Sequence, residues 1–288
     1  MYTKKELVQL VDNMPAFPPS VSRILTLTAD ITCAPKDLIR IIELDPVLTL
    51  KLLQLVNSPY FGLSRQISSI KQAVVFVGIN TIKNLALTIA PLEILNHDSK
   101  DTPHMENMLY HAIAVGVISR HLARRCSLSE IESTDFFVAG LLHDFGKMAL
   151  YRFLPKKYNK TLHLAAKKQI PLHRAERKTL GVNHLQVGAL LAKKWHLPME
   201  FIACMGNHHD WKFSRTSLLQ DCIYTANLIA QTIGVGDSGD PILTPSLPKP
   251  IERRLNAKLP ELIGTLGDLA GEMHKAKVFI YHWHSDLK

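Results

Sequence analysis

The chain has 288 residues, 47% of them apolar, 20% charged and 7% aromatic, with a formal charge of +9 and 14 histidines. This balance excludes disordered, fibrous and disulfide-stapled chains, and the length allows one large domain or two small ones with a real core. The longest apolar runs, Ala73–Ile79 and Phe136–Leu142, fall far short of the roughly 20 residues of a membrane span, and no signal-peptide core follows Met1. Cys33, Cys126, Cys204 and Cys222 stand far apart without a C-x-x-C spacing. A cytoplasmic protein, with no membrane, is the expectation. The basic residues fall in scattered pairs, such as Lys4-Lys5, Arg124-Arg125 and Lys193-Lys194, with no interleaved aromatics. Solvated helix faces are therefore expected rather than a nucleic-acid surface.

Apolar spacing predicts helices nearly throughout. Leu7–Val11 begins one, and Met14–Pro19 breaks it. Ser20 is read as the cap of Val21–Asp30, Pro35 as the opening of Lys36–Leu44, and Asp45-Pro46 as the start of Val47–Val56, which Asn57-Ser58-Pro59 ends. Ser69–Val77 follows, although its β-branched run Ala73–Val77 also fits a strand, and after Gly78 comes Thr81–Ile89. The polar stretch Asn96–Pro103 is read as a boundary between an N-terminal unit, residues 1–97, and a second unit, residues 98–288.

Beyond it come Glu106–Arg125, Ser133–Leu142 with its continuation, Lys156–Gln169, then His184–Trp195 capped by Asn183. Met199–Asn207, Leu218–Ile233, a Gly/Pro-rich loop over Gly234–Pro250 and a mostly helical Ile251–Lys277 complete the chain. With no alternating strands and no internal repeat, the fold class is all-α.

The sharpest chemical signal is Leu141-Leu-His143-Asp144-Phe-Gly146-Lys147, an apolar helix ending in an imidazole and a carboxylate. A buried Asp144 needs a partner, which a divalent cation, Lys147 or a backbone cap would each provide. His111, His184 and the pair His208-His209 also stand in largely apolar or helix-end settings. A metal would hold such rings neutral and use their lone pairs. A soft ligand role for Cys204 is disfavoured, Trp195 and Trp211 are read as packing, and His282 and His284 as a terminal scrap.

The order His111 … His143-Asp144 … His184 … His208-His209 resembles the HD superfamily of metal-dependent phosphohydrolases. The N-terminal half is more specific. Met14-Pro-Ala-Phe-Pro-Pro-Ser-Val-Ser-Arg-Ile-Leu25, Ile42-Glu-Leu-Asp-Pro-Val-Leu-Thr-Leu-Lys-Leu-Leu-Gln-Leu-Val-Asn-Ser-Pro-Tyr-Phe-Gly62 and Ile67-Ser-Ser-Ile-Lys-Gln-Ala-Val-Val-Phe-Val-Gly-Ile-Asn-Thr-Ile-Lys-Asn-Leu85 resemble the HDOD domain. That resemblance covers about residues 14–230. It implies two packed helical lobes and a role in bacterial signal transduction, usually without enough ligands for catalysis.

By the same resemblance, Asp144 bridges two metals; His184, His208 and His209 complete one site, while His111 and His143 serve the other. The ions would be one or two of Fe, Mn, Zn, Ni or Co. If the protein were active, Asp144 and Lys147 would be catalytic and the substrate a nucleotide or cyclic dinucleotide; otherwise it regulates a signalling partner, with a nucleotide or phosphate as possible ligand. Several positions depart from the enzymes. Asn227 stands where they carry an aspartate, with Asp210 and Asp221 nearby as substitutes. Asn107 stands where some carry a glutamate, and no Gly-Tyr-Pro follows His209.

Overall fold

A computed structural model describes residues 3–28, 34–96, 103–129, 132–211, 217–241 and 246–281. In chain order the helices are α1 (Lys4–Asp12), α2 (Pro19–Thr28), α3 (Pro35–Glu43), α4 (Pro46–Val56), α5 (Ile70–Val77) and α6 (Ile79–Asn96). There follow α7 (Pro103–Arg125), α8 (Ser133–Leu142), α9 (Phe145–Phe153), α10 (Pro155–Lys168), α11 (Leu172–Leu180), α12 (His184–Lys194) and α13 (Met199–Asn207). The last are α14 (Leu218–Thr232), α15 (Lys249–Leu255), α16 (Leu259–Gly264) and α17 (Leu269–Tyr281). No strand occurs among the described residues, so Ala73–Val77 is helical: Ser69 caps α5, and its β-branched side chains meet helical rather than strand neighbours. Of the expected boundary, Asn96–Pro103, residues 97–102 lie outside the described residues, while Asn96 ends α6 and Pro103 begins α7.

Local start and stop chemistry accounts for several helix ends. Asp45 accepts from the Leu48 N–H at 3.0 Å, with Pro46 in the first turn of α4. Asn183 and Ser217 each form a reciprocal capping box, on α12 and α14. Ser20 is a correction. It lies inside α2, and its hydroxyl donates to Asp45 Oδ2 at 2.6 Å, tying two helices together instead of capping its own. The C-terminal stretch read as mostly helical is cut into three by Asn256, in the left-handed region, and by the turn at Gly267.

Helix α7 is the spine of the second half. Its middle, Ala112–Ser119, is buried, and it packs against α8, α14 and α17, while α6 covers α8 and α9. The N-terminus is fastened to the same body. Phe17 stacks on Trp195 at 4.5 Å between ring centroids, and Lys194 Nζ donates to the carbonyls of Val11, Asp12 and Met14. No single described helix is long and apolar enough to cross a membrane; only α5 with Ile79–Ile89 passes by length and composition, as a pair bent by 114°. Cys126 and Cys222, distant in sequence, come together here, and a hydrogen bond from Cys222 lowers the Cys126 thiol to about 7.

Candidate metal centre

The centre is assembled from helix ends. His143 closes α8, Asp144 precedes α9, His184 opens α12, and His208 closes α13 with His209 next to it; His111 comes from the interior of α7. Helix ends bring side chains from separate elements to one point without burying unpaired backbone between them. Gly146 makes this approach possible: a Cβ there would collide with the His184 carbonyl oxygen, so α9 and α12 touch backbone to backbone.

Three of the rings are oriented by their Nδ1. His143 Nδ1 donates to the Gly140 carbonyl at 2.6 Å and His208 Nδ1 to the Cys204 carbonyl at 3.0 Å. His184 Nδ1 donates to Glu176 Oε2 at 2.7 Å. Carbonyls and carboxylates only accept, so Nδ1 carries a proton in all three rings, and a ring with no second proton turns an Nε2 lone pair inward. Those three Nε2 atoms stand 3.2, 3.1 and 3.7 Å from the Asp144 oxygens for His143, His208 and His184 respectively. Asp144 Oδ1, His143 Nε2 and His208 Nε2 are buried without a hydrogen-bond partner, while Asp144 Oδ2 meets the Lys147 ammonium at 2.8 Å. Lone pairs facing a carboxylate repel it unless a cation lies between them, so these residues fit a metal ion.

Electrostatics favour neutral rings at His208, His111 and His209. Burial foremost pushes His208 down to about 3 and His111 to about 4, and lowers His209 well below the usual imidazole range. Asp144 goes the other way. Burial would raise it, but positive charge on His143, when its Nε2 carries a proton, and the Lys147 ammonium beside it hold it well below the carboxylate range. Lys147 is fully buried, with Nζ 2.8 Å from Asp144 Oδ2 and 2.7 Å from Asp240 Oδ2, and donates to the Ser238 carbonyl at 3.0 Å. Of the partners expected for Asp144, the backbone cap is absent: its carboxylate makes no capping hydrogen bond to α9.

The ligand atoms form three groups, each with all its atoms within 4.8 Å of one another: Asp144 with His184, His208 and His209; His111 with His143 and Asp144; and His173 with His209 and Asp240. All six candidate ligands therefore come together, although His111 stands off, with Nε2 3.9 Å from Asp144 and 3.0 Å from Asn227 Oδ1. Asn227 faces the centre, and its amide is engaged by His111 and Gln231. The substitutes named for the missing aspartate do not serve. Asp221 is buried against Arg254 at 2.8 Å, and Asp210 belongs to none of the three groups. Cys204 is likewise in none, and burial raises its thiol. Trp195 packs as expected; Trp211, also read as packing, is instead exposed and lines a small cavity together with His208. His282 and His284 lie outside the described residues.

Three residues escaped the sequence reading. Glu176 is fully buried on α11, a helix not anticipated, and accepts from Tyr158, the His184 N–H and His184 Nδ1. Its signal is faint: one carboxylate at helical spacing from Leu172 and Leu180. Asp240 and His173 carry no local signal at all. Asp240 sits in a Gly/Pro-rich stretch that reads as surface loop, yet its described part, residues 234–241, lies against the centre, with Asp240 on Lys147 and near His209. That part is held by Asp237 N–H to the Asn107 carbonyl at 3.2 Å, and Gly236, at φ +71°, lies so close to the His111 backbone that no Cβ fits.

Fold and centre together define an all-α protein with a buried histidine–aspartate cluster where helix ends meet. The sequence profile of the HDOD domain matches residues 14–211, and the chain belongs to the HDOD domain family. An uncharacterized protein of Treponema pallidum is 26% identical over 200 residues, which are 69% of this chain and 38% of that protein. Among solved structures, an HDOD domain protein of unknown function from Geobacter sulfurreducens has 22% identity and a TM-score of 0.76, over 96% of this chain and 98% of the other. A candidate phosphohydrolase from Shewanella amazonensis has 21% identity and a TM-score of 0.72, over 95% and 97%. A candidate signal transduction protein from Marinobacter aquaeolei has 18% identity and a TM-score of 0.73, over 97% and 62%. At these identities the likeness is one of fold.

Proposed function

We propose that this HDOD protein is a signal-transduction module that holds a divalent metal ion and turns over little or no substrate, its metal centre shaping a surface that a signalling partner reads. One observation supports the metal: the Nε2 atoms of His143, His184 and His208 converge within 3.1–3.7 Å on the buried Asp144 carboxylate, of which Lys147 meets only Oδ2. Asp144, His184, His208 and His209 hold one ion, and His143 with His111 offers the ligands of a second. A bound cation of this kind supplies Lewis-acid polarisation of a phosphoryl oxygen. Imidazole with carboxylate suits Fe, Mn, Zn, Ni or Co. What argues for low turnover is the second position, where the amide of Asn227 is occupied by His111 and Gln231 and supplies no carboxylate charge.

The alternative, a metal-dependent phosphohydrolase acting on a nucleotide or cyclic dinucleotide, is favoured by the assembled ligand set and by Lys147 beside Asp144. Two measurements decide. Metal analysis of the purified protein against His208→Ala plus His209→Ala should show stoichiometric metal only in the wild type; a metal-free wild type overturns both readings. Hydrolysis of bis-p-nitrophenyl phosphate should then be absent or marginal. A robust rate abolished by the double substitution would instead establish the enzyme.

A further inference from the structure

The loop that lies against the centre brings chemistry of its own. Asp240 Oδ2 is 3.8 Å from His209 Nε2, and His209 stacks obliquely on His173 with ring centroids 5.1 Å apart. The three ligand atoms lie within 4.8 Å of one another, and each residue is half-buried. His173 Nδ1 is shielded from solvent and has no hydrogen-bond partner, an imidazole nitrogen left unused beside two other donors. These residues border a cleft of about 190 Å³, which Tyr224, Asn227 and Gln231 also line.

We propose that His173, His209 and Asp240 form an outer cation subsite, separable from the buried centre and sharing His209 with it. Two imidazoles and one carboxylate are a donor set for a first-row divalent ion such as Co²⁺, Ni²⁺ or Zn²⁺, and three protein ligands leave a coordination position open. That position faces the cleft, where an anionic oxygen ligand or water completes the shell. The existing contacts of Asp240 are compatible with the ion. Oδ1 accepts from the Leu172 N–H at 2.7 Å, and Oδ2 contacts Lys147 at 2.7 Å, leaving a second lone pair on Oδ2 for a metal. Lys147 keeps Asp144 and the Ser238 carbonyl whichever way Asp240 turns.

His209 is the hinge of the arrangement. Its Nε2 lies 3.2 Å from His184 Nε2 and 3.8 Å from Asp240, so it can complete the buried group or the outer one but not both. With His209 drawn outward, Asp144, His184 and His208 remain as ligands for the inner ion. Occupancy of the outer subsite thereby couples the solvent-facing cleft, through one side chain, to the coordination of the buried ion.

This extends the metal-centre reading, and the test separates the two. Co²⁺ bound per chain after equilibrium dialysis is counted for wild type, His173→Gln, Asp240→Asn and His208→Ala, with thermal melts as a check on folding. His173 is half-buried and its Nδ1 is unpartnered, so His173→Gln should fold as wild type does. Loss of one Co²⁺ per chain in both His173→Gln and Asp240→Asn, with that ion retained in His208→Ala, is the expected result. Unchanged stoichiometry in His173→Gln overturns the outer subsite, while loss of Co²⁺ in His208→Ala alone leaves the buried centre standing. A wild type that binds no Co²⁺ overturns both.

Discussion

Glu176 Oε2 lies 2.7 Å from His184 Nδ1, and this contact decides which nitrogen of His184 turns toward Asp144. The same carboxylate accepts the Tyr158 hydroxyl at 2.5 Å and the His184 N–H at 2.8 Å, so a ring orientation is locked by an acid buried eight residues upstream. Partners of this kind are worth about 10–100-fold in metal affinity. Glu176→Gln should weaken Mn²⁺ or Co²⁺ binding by that order in isothermal titration while the fold persists. Unchanged affinity would mean that His184 is not a ligand or is oriented without Glu176.

Lys147 is the internal counter-ion of the metal-free protein. Removing it in Lys147→Met leaves the buried Asp144 and the half-buried Asp240 without their counter-charge, a loss of about 3–5 kcal/mol for a broken buried pair. The variant should show a clearly lower urea midpoint than wild type when both are metal-free. Because a cation can replace the lost charge, added Mn²⁺ should raise the variant's midpoint more than that of the wild type. Equal shifts would show that Lys147 and the metal neutralise different groups.

The lowered imidazoles fix a pH dependence of known sign. His111 and His208 titrate near 4 and 3 when folded, against 6.5 for an ordinary imidazole. Between about pH 6.5 and 4 the unfolded chain therefore binds protons that the folded chain refuses, and stability falls as pH drops through that window. Asp144 and Asp240 work in the same direction further down, since their folded carboxyls are depressed and their contribution is lost only as pH falls below the ordinary carboxylate range. Urea midpoints of chelator-treated protein should fall between pH 7 and pH 5. A flat profile would contradict neutral buried rings.

Asn227 is the position at which added charge should matter most. Its Oδ1 sits 3.0 Å from His111 Nε2, on the side of the cluster where His143 also lies. Asn227→Asp introduces a carboxylate without changing size, and a hard or borderline cation binds it more tightly than an amide. The variant should bind metal at the His111–His143 position at least ~10-fold more tightly, by the logic that ligand and near-ligand changes move affinity on that scale. An unaltered second binding constant would place the second ion elsewhere.

How much of this was legible in sequence depends on how far apart the interacting residues lie. Asp45-Pro46, Asn183 and Ser217 act on their own helices within one turn, so their capping roles follow from local chemistry. The apolar periodicity likewise determined the all-α class, and the His-Asp step between α8 and α9, with the later histidine pair, marked the centre before any tertiary contact was known. Ser20 shows the limit of that reasoning: it has a capping residue's chemistry, but a partner 25 positions away claims its hydroxyl.

Tertiary structure alone decided the rest. Gly234–Pro250 reads as solvent-facing loop because nothing local distinguishes a stretch that lies against the histidine–aspartate cluster, as residues 234–241 do, from a surface connection. Only the folded chain sets Asp240 against Lys147, 93 residues away in sequence, and beside His173 and His209. The physical reason is that a buried charge is stabilised by whichever opposite charge the fold delivers to it, and that delivery depends on how α7, α9, α12 and α14 pack, not on the spacing of residues along any one of them.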